Sequence, residues 1–373
     1  MKRYTILHTE ASTGWGGQEI RIITEAAGMI KRGHRVMLAC QPGSVISQRA
    51  PEQGIETFIM RIGGAFDIAG IRRLRSLMLE QKVDIVNTHS SKDSWCAGIA
   101  AKLPGIKVIR TRHLSIPVKN SSQSRLLYRT LADVVVTTGE SLRLHIIERT
   151  GLSPDRAISI PTGIDLNRFN PSAADGSSVR SELHIEPDAI LIGTVGMLRA
   201  MKGHIYFIEA AAQVLEKQPH ARFIIVGDIA FASNIKEVLT ARIVELGIED
   251  KIIMTGYRND IPEVMAALDV FVLASIRDEG VPQVINQAMA MKRPVVATDV
   301  GAVSEQVIDG QTGFLVEKKN ADQLARAILA ILEDPARAKQ MGENGRKLVE
   351  EKFSIEVMLD ATEALYERML ASR

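Results

Sequence analysis

A carboxylate followed by a glycine and a proline gives this chain its clearest chemistry, in the stretch SIRDEGVPQVINQAMAMKRPVVATDVGAVSEQV at residues 275–307. Glu279-Gly280-Val281-Pro282 places a carboxylate on a glycine turn, and the residues after it predict a helix start and then a short β-branched strand. A helix N-terminus carries unpaired N–H groups and about half a positive charge, which suits a phosphate. The N–H groups of Gly280, Val281 and Gln283 are the ones to face it; Pro282 has none to offer. Glu279 suits sugar hydroxyls, so the two features together point to a nucleotide-sugar site. The competing reading of Glu279 is a loop carboxylate that caps the following helix.

Further candidates stand at the ends of apolar runs. Arg199 and Lys202 follow GTVGM, where two cations would stabilise the charge gathered by a departing pyrophosphate. A solvated helix start with surface cations is the alternative. His113 ends KVIRTRH and His89 ends DIVNTH, each open to a purely structural reading. Arg258 follows MTGY, within reach of a base or ribose, or is a surface charge. Gly14, Gly16 and Gly17 in TGWGGQE precede a helix and let backbone approach an anionic ligand. The dinucleotide pattern G-x-G-x-x-G fails because position 19 is Glu, which removes the main support for hydride transfer.

The elements that must hold these residues are short Val- and Ile-rich strands alternating with helical-period segments. Strands are predicted at 4–9, 34–40, 56–62, 84–89, 107–112, 133–138 and 157–161, with helices such as 18–32 and 67–82 between them. A second series begins at 189–197 and continues at 221–228, 251–256, 269–275, 294–299 and 313–317. Continuous apolar strands alternating with helices mean parallel sheets covered on both faces, and two series mean two doubly wound α/β domains. The Pro-, Gly- and Ser-containing segment 161–188 holds the boundary, giving domains 1–170 and 171–352. The tail is helical with breaks at Asp334-Pro335 and Phe353-Ser354, and residues 353–373 form a helix packing back on the first domain.

Composition narrows the classes. At 46% hydrophobic and 24% charged residues the chain is globular, and no apolar run reaches the roughly 18 residues a spanning helix needs. The N-terminus turns polar too early for a signal peptide and reads as a first strand. Cys40 and Cys96 lack metal-site or redox spacing and read as free buried thiols of a cytosolic protein. Residues 1–170 carry 24 Lys and Arg against 14 Asp and Glu, a net of +10, leaving −8 for the remainder. The basic half suits an anionic partner, and the scarcity of aromatics argues against nucleic acid. Arg72, Arg73 and Arg75, with Ile71, Leu74, Leu77 and Met78, form a helix face suited to an anionic bilayer, or a solvated basic face. Arg110, Arg112, Lys119 and Arg125 in segment 110–125 suit acceptor phosphates or carboxylates.

Taken together, GWGGQE, IPTGIDLNRFNP (160–171), GTVGMLRAMKGH (193–204) and the block 275–305 resemble the retaining glycosyltransferases of family 4, or group 1, over nearly the whole chain. The resemblance implies the GT-B fold: two Rossmann-like domains facing each other across a cleft, the first binding acceptor and the second donor, with C-terminal helices crossing back to the first domain. It implies transfer of a sugar from a nucleoside-diphosphate sugar to a saccharide or lipid-linked acceptor, with retention, in cell-surface polysaccharide or glycolipid synthesis. The co-substrate stands in place of any cofactor, and no metal is required. Such enzymes are cytoplasmic or peripheral at the inner face of the membrane. By position, Arg199 and Lys202 would hold the diphosphate, Glu279 the donor sugar or its oxocarbenium-like centre, and His113 the sugar near the reacting centre. Gly16, Gly17, Arg258, Gly280, Val281 and Gln283 complete the donor set; His89, Arg110 and Arg112 lie on the acceptor side. The family's second Glu, which grips the ribose diol, is replaced by Gln287, whose amide still accepts and donates. That departure keeps open an epimerase or hydrolase of the same fold, or a non-catalytic nucleotide-sugar-binding subunit.

Overall fold

The computed structural model describes residues 2–113, 118–229, 233–277 and 279–371; part of the 110–125 segment, residues 114–117, lies outside them. The first series of strands comprises β1 (Thr5–Glu10), β2 (Arg35–Cys40), β3 (Glu56–Ile59), β4 (Ile85–Thr88), β5 (Lys107–Arg112), β6 (Val134–Thr137) and β7 (Ala157–Ser159). They form one sheet in the order β3-β2-β1-β4-β5-β6-β7, every neighbouring pair parallel. The second series comprises β8 (Leu191–Val195), β9 (Arg222–Val226), β10 (Ile252–Gly256), β11 (Val270–Leu273), β12 (Val295–Thr298) and β13 (Gly313–Val316). Its sheet runs β10-β9-β8-β11-β12-β13, again all parallel.

Helices cover both faces of each sheet, which is why strands such as VFVL at β11 and VVVT at β6 are buried at every position. In both sheets the strand order reverses between two central neighbours, β1 and β4 in the first, β8 and β11 in the second. At such a switch point successive helices leave to opposite faces, opening a place for a ligand beyond the carboxyl ends.

The chain divides into one unit of residues 1–163 with 355–373 and another of residues 164–354. The first division thus falls before the boundary read at 170, because Ile164 N–H donates to Phe353 O at 2.7 Å and both side chains, with Phe169, enter the second unit's core. The helix Ile355–Ala371 belongs to the first unit, where Met358, Leu359, Leu365 and Tyr366 pack with Ile22, Ala26 and Met29 of the helix Gly17–Lys31. Close approach of the two helices needs Gly28, where an added Cβ would lie 2.5 Å from Leu359 Cδ1.

Cys40 and Cys96 are free and buried. The helix Ile68–Glu80 corrects one expectation: Leu74, Leu77 and Met78 face the core and cannot meet a bilayer, while Arg72, Arg73 and Arg75 are exposed. Exposed apolar side chains lie instead at its start, Phe66 at 98% and Ile68 at 63%.

Both tryptophans, Trp15 and Trp95, lie in the first unit. Leu365→Ala should therefore cost roughly 2–5 kcal/mol, read as a lower urea midpoint of the tryptophan fluorescence transition. An unchanged midpoint would show that this helix does not stabilise the unit.

Candidate active site

The second unit's cluster is built by two loops that leave adjacent strands at the switch point. After β8 the chain reaches Arg199 and a single 3₁₀ turn, Ala200–Lys202, before the helix His204–Lys217. After β11 it runs through Ser275 and Glu279 to the helix Gln283–Ala290. Lys202 Nζ donates to Glu279 Oε1 at 2.7 Å, and Ser275 Oγ donates to the same oxygen at 2.6 Å. The sequence distance of 77 residues between Lys202 and Glu279 is closed by the β8–β11 pairing.

Two glycines hold this geometry. Gly203 has φ +66°, and a Cβ there would sit 1.9 Å from Ala274 O. Gly301 has φ +60°, and a Cβ would sit 2.1 Å from Glu279 O, which instead accepts Ala302 N–H at 3.0 Å. Ile276 N–H donates to Met201 O at 2.8 Å, tying the two loops. His204, buried beside Lys202, is pushed down to about 4 by burial and by that cation.

The remaining donor-side candidates fall out unevenly. Gly280, Val281 and Gln283 lead into the helix Gln283–Ala290 behind Glu279, and Gln287 lies half-buried on that helix. Helix-start N–H groups have no partner within their helix. Arg199 is exposed, its Nη2 3.7 Å from Met197 Sδ. Arg258 is engaged elsewhere: its guanidinium donates to both carboxylate oxygens of Glu182 at 2.7 Å and to Asp260 at 2.9 Å through Nε. Those two carboxylates raise its pKa, so Arg258 braces loops of this unit and is not poised for a ligand. Gly16 is extended at φ −172° and caps the helix Gly17–Lys31, with Ile20 N–H donating to its carbonyl. Neither Gly16 nor Gly17 has positive φ, so this loop does not depend on left-handed backbone.

In the first unit, His89 and His113 are brought together: His89 Nδ1 lies 3.0 Å from His113 Nε2. A third imidazole, His8, lies 2.8 Å from His89 Nε2 through its Nδ1. Burial lowers the pKa of all three. Arg110 stacks on Tyr128 with its guanidinium carbon 4.6 Å from the ring centroid, and burial lowers the pKa of Arg112. Asp93 forms a capping box with Ser90 and accepts His89 N–H and Thr9 Oγ–H. Glu10 accepts Ser12 N–H and a Gln18 amide; burial and the nearby Asp93 push its carboxyl up to about 8.

His8, Glu10, Asp93 and Ser275 were not singled out from sequence. The available signal was position, since Glu10 ends β1 with His8 two residues before it, Asp93 lies in the first turn of the helix after β4, and Ser275 follows β11.

Residues 15–168 match the family described as Glycosyltransferase Family 4, and residues 177–348 match Glycosyl transferases group 1. The chain is 28% identical over 330 residues to an Escherichia coli UDP-Gal:alpha-D-GlcNAc-diphosphoundecaprenol alpha-1,3-galactosyltransferase, covering 86% of this chain and 84% of that one. It is 30% identical over 259 residues to the lipopolysaccharide core biosynthesis mannosyltransferase LpsB of Rhizobium meliloti, covering 68% and 70%. Among solved structures, a glycosyltransferase from Rickettsia africae superposes with TM-score 0.92 at 24% identity over 99% of both chains. Anabaena HepE, solved with UDP, gives 0.87 at 23% identity over 99% of this chain and 100% of that one. These two establish the fold.

The buried titrating groups of the first unit set a stability optimum. The three histidines have depressed folded pKa values, so their contribution is lost as pH falls below about 6.5, where the unfolded chain takes up protons. Glu10 and Asp93 have raised values, so their contribution is lost as pH rises from the ordinary carboxylate range, for Glu10 up to about 8. Below pH 6.5 the three imidazoles outnumber the carboxyls, and above it the loss comes from Glu10. Urea titrations followed by tryptophan fluorescence should show greatest stability near pH 6.5–7, falling on both sides; a monotonic profile from pH 5 to 8 would contradict these protonation states.

Proposed function

The chain belongs to the group 1 glycosyltransferases of family 4, and from that premise we propose that it moves a sugar from a nucleoside-diphosphate donor to a saccharide or lipid-linked acceptor with retention of configuration. The observation that carries the donor assignment is the Lys202–Glu279 contact at 2.7 Å beside the start of the helix Gln283–Ala290. It sets a cation, helix N–H groups and a carboxylate in one place, the complement of a sugar diphosphate.

In this reading Lys202 and Arg199 stabilise the charge that builds on the leaving diphosphate, with the N–H groups at the helix start. Glu279 receives donor-sugar hydroxyls and stabilises the oxocarbenium-like centre as the anomeric C–O bond breaks. The acceptor oxygen bonds to that carbon on the face the diphosphate leaves, and its proton passes to a phosphate oxygen. Because Lys202, Arg199 and the helix start supply the positive charge, the reaction proceeds without a metal. Gln287 holds the ribose diol through its amide in place of a second carboxylate.

The first unit holds the acceptor, with Arg110 and Arg112 toward it and His113 near the reacting centre; His89, whose two ring nitrogens meet His8 and His113, does not reach it. A lipid-linked acceptor is favoured by the Escherichia coli relative, whose name carries a diphosphoundecaprenol acceptor. Among the described residues no helix is long and apolar enough to cross a membrane. We place the protein in the cytoplasm, peripheral at an anionic bilayer, with Arg61, Arg72, Arg73 and Arg75 around exposed Phe66 and Ile68 as the contact. This replaces the helix face considered from sequence.

Incubation with a panel of nucleoside-diphosphate sugars and lipid-diphosphate acceptors should release nucleoside diphosphate at a rate that EDTA leaves unchanged. Lys202→Ala and Glu279→Ala should each lower that rate at least about a hundredfold; release with no donor in the panel, or unchanged rates in both variants, would refute the site. Gln287→Glu should tighten nucleoside-diphosphate binding several-fold in calorimetry, through charge-assisted bonds to the ribose diol. Weaker binding would remove Gln287 from the ribose site.

A further inference from the structure

His8, His89 and His113 form a file of imidazoles at the carboxyl ends of β1, β4 and β5. The His8 and His89 rings lie within 4° of parallel, edge to edge, at 5.1 Å between centroids, and His89 and His113 follow at 5.2 Å. Each contact joins two ring nitrogens, so one must carry hydrogen and the other a lone pair. A neutral imidazole has one hydrogen. Two orders are therefore open to the neutral file. Hydrogens pointing from His8 toward His113 put Nδ1–H on all three rings, and the reverse order puts Nε2–H on all three.

The buried end of the file chooses between them. His8 Nε2 is fully buried, and no described protein group lies in hydrogen-bonding position to it. The reverse order would strand an N–H there, and orphaned buried N–H groups are rarer than under-used acceptors. Arg21 and Glu25 face His8 as an ion pair 3.5 Å apart, so their charges largely offset. Arg110 and Arg112 face the other two rings, and a proton added to either would be a cation among guanidiniums. Burial and these neighbours keep the file uncharged at neutral pH.

We propose that His8 and His89 are positioning residues that lock His113 into its Nδ1–H tautomer, making it a hydrogen-bond donor to substrate hydroxyls. The tautomer follows from the file alone; the role toward substrate rests on the transferase reading above. Free histidine in water favours Nε2–H, so the file inverts the ordinary preference.

The test is a two-bond ¹H–¹⁵N correlation spectrum of the full chain, selectively ¹⁵N-histidine-labelled, without ligand at pH 7. The expected result is the neutral Nδ1–H pattern for His8, His89 and His113, assigned by single substitutions. Nε2–H or doubly protonated patterns at His113 would overturn the proposal, whatever the donor assay gives. His8→Asn keeps an amide N–H where Nδ1 stood and should preserve the His113 pattern, whereas His8→Phe, with no donor, should abolish it. Loss in both or retention in both would also overturn it. In the transfer assay His8→Phe should lower kcat about tenfold with KM within about twofold, and His8→Asn should restore most of that loss; a loss confined to KM would assign His8 to the fold alone.

Discussion

Burial of both faces of each parallel sheet is the constraint on which the rest of the molecule depends. With helices above and below, a strand such as β4 or β11 is buried at every position, and a charged side chain along it would lose its hydration without return. Polar chemistry is thereby driven to the carboxyl ends, and the reversal of strand order selects which ends are open. His8 lies in the last half of β1 and His89 follows β4; Lys202 and Glu279 follow β8 and β11. The two units thus place their reactive groups at equivalent points of the same topology.

Within the second unit, backbone contact fixes the charged groups more firmly than charge does. An ion pair whose side chains are 23% and 12% exposed contributes little net stability once desolvation is counted. Gly203 and Gly301 hold the two loops at distances no Cβ would allow, and each spends a left-handed residue to do so. Close backbone approach of this kind costs stability and returns orientation, which is what a transition state with migrating charge requires.

The periodicity of apolar residues made the fold legible, because Val- and Ile-rich runs in parallel sheets advertise themselves without alternation. Every strand in both sheets overlaps a segment expected from sequence. Lys202, Glu279, His89 and His113 were singled out from motifs and the family resemblance, and the structure brings them together in two pairs. Partnerships were not legible. Arg258 looked like a ligand group because the Glu182 that occupies it lies 76 residues earlier, and the file gained its third member from β1, 81 residues before His89. The helix Ile68–Glu80 carried a pattern that fits either a core or a bilayer, and only the packing of Leu74 and Met78 decided between them. The unit boundary moved for a similar reason, since Ile164 is claimed by Phe353 across most of the second unit's length.

The two switch points solve opposite electrostatic problems. The first 170 residues carry a net of +10, and Arg110 and Arg112 lie close to the ends of β4 and β5. A lysine at the file would add repulsion among those cations and bring three donors with no fixed direction. An uncharged imidazole held by its neighbours brings one donor with a fixed direction, at no electrostatic cost. The remainder of the chain carries −8, and there the proposed donor phosphate would be met by cations placed locally. Lys202 and the start of the helix Gln283–Ala290 meet that need, while Glu279 and Ser275 keep the ammonium from wandering into solvent. Neutral donors in the basic unit and local cations in the acidic one are the same rule applied twice: each site supplies what its background field lacks.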